Sequence, residues 1–130
     1  MGISSEGECV KILIVDDSKA IFIAVTEMLT RMGHVGTWAM DGQKAIEILA
    51  TSEKFDAILL DWNMPNMTGP EFLEKNLKDK ITSTPIIMMT TENKPEFIKK
   101  AISLGVAEYM MKPFTPDILA NKLEMALGML

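Results

Sequence analysis

Several things are scarce in this sequence. It has one cysteine, Cys9, so no internal disulfide can form, and the pattern suits a reducing compartment. No hydrophobic run approaches the roughly 18 to 20 residues needed to cross a bilayer. The stretch from Met1 to Val10 lacks the basic and then apolar order of a signal peptide, and a soluble cytoplasmic protein is expected. Basic residues are also few. Thirteen Lys and Arg against 18 Asp and Glu give a net charge of −5, so the electrostatic footprint of a nucleic-acid binder is missing. Neither nucleic acid nor membrane is expected as a partner. The opening Met1-Gly2-Ile3-Ser4-Ser5-Glu6 resembles a myristoylation site, but Glu6 stands where Ser or Thr is wanted. Residues 1–9 read as a loose tail, and 10–130 as one domain.

A chain of 130 residues can bury roughly two-thirds of its unfolded surface, so it needs no structural metal to fold. The composition is 48% hydrophobic and 24% charged, which argues against wholesale disorder. The hydrophobic residues come in short runs: Val10 to Val15, Ala57 to Leu60, Ile86 to Met89 and Val106 to Met111. The first three are nearly continuous, as expected of strands buried on both faces of a parallel sheet. A weaker run, Gly36 to Met40, reads as an edge strand.

Helical periods fill the gaps. After Ser18 as cap, Ile21, Phe22, Val25, Met28, Leu29 and Met32 share a face, and Gly33 is the stop. Asp41-Gly42 opens a second helix with Ala45, Ile46, Ile48 and Leu49. Thr68-Gly69-Pro70-Glu71 has capping-box spacing, and Phe72, Leu73 and Leu77 are expected to face inward behind it. A fourth helix spans about Pro95 to Leu104 and stops at Gly105, while Thr115 caps a fifth with Pro116 at its first position. Strand and helix thus alternate five times, which predicts a doubly wound α/β sandwich: a five-stranded parallel sheet with five helices on its two faces. In such sheets ligands bind outside the carboxyl ends of the strands.

That edge collects Asp16 and Asp17 after the first strand, Asp61 after the third, Thr90-Thr91 after the fourth and Lys112-Pro113 after the fifth. Carboxylates this close repel unless a cation intervenes. An all-oxygen set without His or Cys suits a hard ion such as Mg²⁺. An ammonium and a hydroxyl facing it form a clamp for phosphoryl oxygens.

Four segments carry a resemblance: Lys11-Ile-Leu-Ile-Val-Asp-Asp17, Leu60-Asp-Trp-Asn-Met-Pro-Asn-Met67 with Gly69, Pro85-Ile-Ile-Met-Met-Thr-Thr-Glu92, and Glu108-Tyr-Met-Met-Lys-Pro-Phe114. Together they resemble the response-regulator receiver domains, most closely the stand-alone chemotaxis type, from about residue 10 to the end. The resemblance implies a flavodoxin-like three-layer sandwich and a phosphoacceptor switch that promotes its own aspartyl phosphorylation and hydrolysis. It assigns Asp61 as acceptor from a histidine kinase, and Asp17, Asp16 (largely through water), Asp61 and the main-chain carbonyl of Asn63 as the Mg²⁺ site. Thr90 would bond the phosphoryl oxygen, Lys112 would pair with it, and the Lys112-Pro113 bond would be cis. Tyr109 would be the switch that follows Thr90, while Asn63 and Glu92 would tune hydrolysis and admit an auxiliary phosphatase. Ile98, Tyr109 and Lys122 would belong to a partner surface. The implied target is the flagellar-motor switch protein, read by a monomer without an output module; the alternative is a phosphorelay intermediate or sink serving a histidine phosphotransferase.

Plainer readings stand beside these. Asp16-Asp17-Ser18 makes a good helix start on its own. Tyr109 fits a half-buried strand, the twelve Met fit adaptable core filler, Lys99-Lys100 a solvated face and His34 a surface position. An Asp-nucleophile phosphatase would want a second Asp two residues past Asp61, where Asn63 stands. A pure scaffold would have no affinity for Mg²⁺. Two departures from the family are Thr68, where Asp is more usual, and the apolar Ile21-Phe22-Ile23, where basic residues are usual. Ile23 is expected to be exposed, and Phe97 and Ile98 widen the apolar arc of the fourth helix.

Overall fold

The continuous apolar runs become strands with no polar face. In the computed structural model, which describes residues 9–128, the order is β1 (Lys11–Val15), α1 (Lys19–Arg31), β2 (Val35–Ala39), α2 (Gly42–Leu49), β3 (Ala57–Asp61), α3 (Gly69–Asp79), β4 (Ile86–Thr90), α4 (Pro95–Ser103), β5 (Glu108–Met111) and α5 (Pro116–Leu127). The N-terminal tail lies outside the described residues apart from Cys9, which is exposed. The strands pair in parallel in the order β2-β1-β3-β4-β5. β3 and β4 are buried at every position, and β1 at all but Lys11. The run starting at Gly36 is the edge strand β2, as its weaker hydrophobicity predicts.

Alternate residues of each strand serve opposite layers. Leu13, Val15, Ile58, Leu60 and Met88 pack with Phe72, Leu73 and Ala101 of α3 and α4. Ile12, Ile14, Leu59, Ile87 and Met89 pack with Val25, Leu29, Leu119 and Leu123 of α1 and α5. The chain runs outward from β1 to β2 and then returns to β3 on the other side of β1, so a topological switch lies between β1 and β3. The crevice at their carboxyl ends is where this architecture places ligands.

Side-chain caps fix four helix starts: Ser18 Oγ accepts from the Ile21 N–H, Asp41 Oδ1 from Lys44, Thr68 Oγ1 from Glu71 and Thr115 Oγ1 from Ile118. Thr68 completes a capping box, since its own N–H donates to Glu71 Oε1 at 2.8 Å. Ile23 is exposed as expected, and the Lys112-Pro113 bond is cis.

Three expectations need correction. Leu77 is 53% exposed, not inward, because its side chain borders an open groove shared with the 51–55 and 80–84 loops. His34 is half-buried and structural: its Nδ1 accepts the Val10 N–H at 3.3 Å. The fifth strand begins at Glu108, since the Val106 N–H turns back to the Ala101 carbonyl of α4 at 3.3 Å.

The capping role of Thr68 can be tested directly. Thr68→Ala should cost about 1 kcal/mol in urea unfolding, whereas Thr68→Asp, which keeps an acceptor, should stay within about 0.5 kcal/mol of the parent. Equal losses in both would contradict the capping role.

Candidate functional site

The two buried acidic side chains at the sheet's carboxyl edge are each held by backbone. Asp16 follows β1 and is 0% exposed; its N–H donates to the Ala39 carbonyl and its Oδ1 accepts the Ser18 N–H at 2.8 Å. One residue thus ends a strand and starts α1. Its carbonyl accepts the Trp38 indole N–H at 2.7 Å, and the Trp38 ring stacks on Phe22 of α1 at 5.3 Å. Asp61 closes β3 at 7% exposed, with Oδ1 accepting the Trp62 N–H at 2.9 Å. Asp17 is exposed, and one oxygen from each of the three carboxylates lies within 4.8 Å of the others.

Lys112 enters from β5. Its backbone N–H donates to the Thr90 carbonyl at 2.8 Å, and its Nζ lies 2.9 Å from both Asp16 Oδ2 and Asp61 Oδ1. Thr90, 1% exposed, sits beside them and accepts the Glu92 N–H on Oγ1 at 3.0 Å. The Glu92 carbonyl in turn accepts the Tyr109 hydroxyl at 2.6 Å. A chain of polar contacts therefore leads from the acidic cluster to β5.

The charges do not cancel. Burial pushes the Asp61 carboxyl above its ordinary 3.8, and the Asp16 charge adds to this, while the hydrogen bonds from Lys112 and Trp62 only partly offset both. Burial works to lower the Lys112 ammonium, but its bonds to Asp16 and Asp61 outweigh that and raise it. Burial, with the nearby Glu92 charge, raises the Tyr109 phenol. Three carboxylates with one ammonium among them suit a further small, hard cation, and the exposed Asp17 leaves one side of the cluster open to it. The donor set fits Mg²⁺.

The structure thus brings together Asp16, Asp17, Asp61 and Lys112, with Thr90 adjoining. Asn63 is exposed two residues past Asp61. Glu92 and Tyr109 are half-buried and linked to the cluster through Thr90. Ile98 on α4 and Lys122 on α5 lie apart from it; Lys122 pairs with Glu108 at 3.4 Å.

Sequence reasoning missed three residues here. Trp38 holds the Asp16 carbonyl; its signal was a polar indole N–H that needs a partner. Trp62 is buried and meets Phe97 of α4 edge-on at 5.2 Å. Gly69 reads in the sequence as one member of a motif, yet a Cβ there would fall 2.4 Å from the Asp61 carbonyl oxygen. Its N–H donates to Trp62 at 2.8 Å, so α3 starts directly against the end of β3.

A family model described as the response regulator receiver domain matches residues 12–124. The chain belongs to that family. It is 40% identical over 120 residues to a chemotaxis protein CheY homolog of Campylobacter jejuni, covering 91% of this chain and 92% of that one. Chemotaxis protein CheY1 of Helicobacter pylori is 38% identical over 120 residues, with 91% and 97% covered. Among solved structures, Vibrio cholerae CheY4 superposes with a TM-score of 0.82 at 36% identity, over 92% of this chain and all of that one (100%). The chain is a CheY-like receiver domain.

The charge imbalance has a measurable sign. With no metal present, the native protein binds more protons than the unfolded chain between pH 3.8 and the raised value of Asp61, so stability falls as pH rises through that window. Asp61→Asn should therefore be more stable than the parent at pH 7 in EDTA, with the advantage shrinking toward pH 4. Lys112→Ala should lose on the order of 3 kcal/mol at pH 7, because it strands two buried carboxylates. An Asp61→Asn variant less stable than the parent at pH 7 would refute this electrostatic picture.

Proposed function

We propose that residues 10–130 work as a phosphorylation switch in which Asp61 takes a phosphoryl group from a histidine kinase. The observation that carries this reading is the Lys112 ammonium, 2.9 Å from both buried carboxylates at the sheet's carboxyl edge. Asp61 Oδ1 is engaged by Lys112 and Trp62, whereas Oδ2 makes no hydrogen bond among the described residues and is the oxygen free to attack. In the transfer, the Asp61 O–P bond forms as the kinase's N–P bond breaks. The electron pair stays on the imidazole nitrogen, which takes a proton from solvent. Mg²⁺, held by Asp17, Asp61, the Asn63 carbonyl and, through water, Asp16, would neutralise the phosphoryl oxygens.

After transfer, Thr90 donates its hydroxyl to the phosphoryl group and Lys112 pairs with it. Because the Thr90 Oγ1 also holds Glu92, to which Tyr109 is tied, movement of Thr90 is passed to the face formed by α4, β5 and α5. That face, with Ile98, Tyr109 and Lys122, is the partner surface. A change of a kilocalorie or two in differential binding suffices for a several-fold to tenfold response. Asn63 and Glu92 flank the pocket, tune return of the phosphoryl group to water and would admit an auxiliary phosphatase.

The related proteins named as chemotaxis proteins support a target in motility control, the flagellar-motor switch protein. No helix among the described residues is long and apolar enough to cross a membrane, which fits action in the cytoplasm.

Acetyl phosphate with Mg²⁺ should load one phosphoryl group per chain, trapped by borohydride on Asp61 and located by peptide mass spectrometry. Asp61→Asn should lower loading at least a hundredfold, as should chelation of the metal in the parent. Undiminished loading of Asp61→Asn would show that the acceptor is another residue.

A further inference from the structure

The segment from Trp62 to Thr68 carries Asn63, and its path is fixed from an unexpected quarter. The Met67 N–H donates to the Pro65 carbonyl at 2.7 Å across Asn66, which holds a φ of 71°. A three-residue turn through a positive φ is a conformation a non-glycine residue keeps only when its surroundings impose it. Those surroundings are the first turn of α2. Asp41 divides its carboxylate, with Oδ1 capping the helix through the Lys44 N–H at 2.8 Å and Oδ2 accepting from Asn66 Nδ2 at 3.5 Å. Beside it, Met67 lies directly on Gly42.

Gly42 is not there for backbone freedom, since among the described glycines only Gly33, Gly105 and Gly128 have positive φ. What it supplies is room. A Cβ at position 42 would fall 2.9 Å from Met67 Sδ and 3.1 Å from both its Cβ and Cγ. The sulfur could swing away; the Met67 Cβ can move only if the backbone of the segment moves with it.

We propose that Gly42 and Met67 form a positioning pair: the missing side chain on α2 seats Met67, and the seated Met67 sets the path of the segment that presents the Asn63 carbonyl to the metal. The proposal rests on the phosphoacceptor reading above, and neither residue touches the phosphoryl group. It reverses the expectation from helix propensity, by which Gly to Ala in a helix is favourable. A recess of about 270 Å³ lined by Asp41, Gln43, Lys44, Asn66 and Met67 gives a displaced Met67 somewhere to go, so the fold should survive the change while the segment shifts.

The test is a Mg²⁺ titration followed by intrinsic tryptophan fluorescence on the whole chain, in a cycle of parent, Gly42→Ala, Met67→Ala and the double variant. Gly42→Ala should weaken Mg²⁺ binding about tenfold while unfolding in EDTA at a urea midpoint no lower than the parent's. In the Met67→Ala background the same change should alter binding less than twofold. Phosphoryl loading of Gly42→Ala should be slow at limiting Mg²⁺ and reach the parent's rate at saturation, a split that general destabilisation would not produce. Unchanged Mg²⁺ affinity in Gly42→Ala, or equal losses in both backgrounds, would overturn the pair. Failure of the parent itself to bind Mg²⁺ would instead overturn the metal site of the functional reading.

Discussion

The carboxyl edge of this sheet depends on one ammonium serving two buried carboxylates. Lys112 reaches Asp16 and Asp61 at 2.9 Å each, and both acids are almost wholly removed from water. An arrangement of this kind is costly on its own terms: desolvation is incurred for three charges, and one negative charge is left over. The fold tolerates it because each group is tied to backbone. Asp16 is fixed by Ser18, Asp61 by Trp62, and Lys112 through its N–H to Thr90. The uncompensated charge makes the pocket a place where a hard cation would be held, with one side left open by the exposed Asp17.

From that pair the rest of the site follows by connection. Lys112 hangs from Thr90, Thr90 holds Glu92, and Glu92 holds Tyr109. On the other side of Asp61, Trp62 carries the contact to Phe97 on α4. Both routes start at residues that touch the acidic cluster and end on the same pair of elements, α4 and β5. The contacts around Asp61 thus lead to one side of the molecule, which is why the proposed switch is read there.

Much of this was legible in the sequence, and for a physical reason. Strands buried on both faces must be apolar throughout, so Leu13, Leu59 and Met88 announced their strands without any need for tertiary information. Strand ends then located Asp16, Asp61, Thr90 and Lys112, because a parallel sheet puts all its carboxyl ends on one edge. Helix caps at Ser18, Asp41, Thr68 and Thr115 were local signals and appeared as such. What stayed hidden was contact between distant segments. Leu77 has a core residue's chemistry but borders an open groove shared with the 51–55 and 80–84 loops. His34, Trp38 and the pairing of Gly42 with Met67 depend on partners 24, 22 and 25 residues away, a relation no local pattern encodes.

Three carboxylates against one ammonium leave the cluster with two negative charges, which a divalent cation would balance. The most direct measurement is the urea-unfolding free energy as a function of Mg²⁺ concentration, for the parent and for Asp17→Asn, whose exposed side chain can be replaced without disturbing the core. The parent should gain about 2.7 kcal/mol at a hundredfold excess of Mg²⁺ over its Kd, and Asp17→Asn should gain little over the same range. A parent whose stability ignores Mg²⁺, or an equal gain in both proteins, would show that no divalent cation balances this cluster.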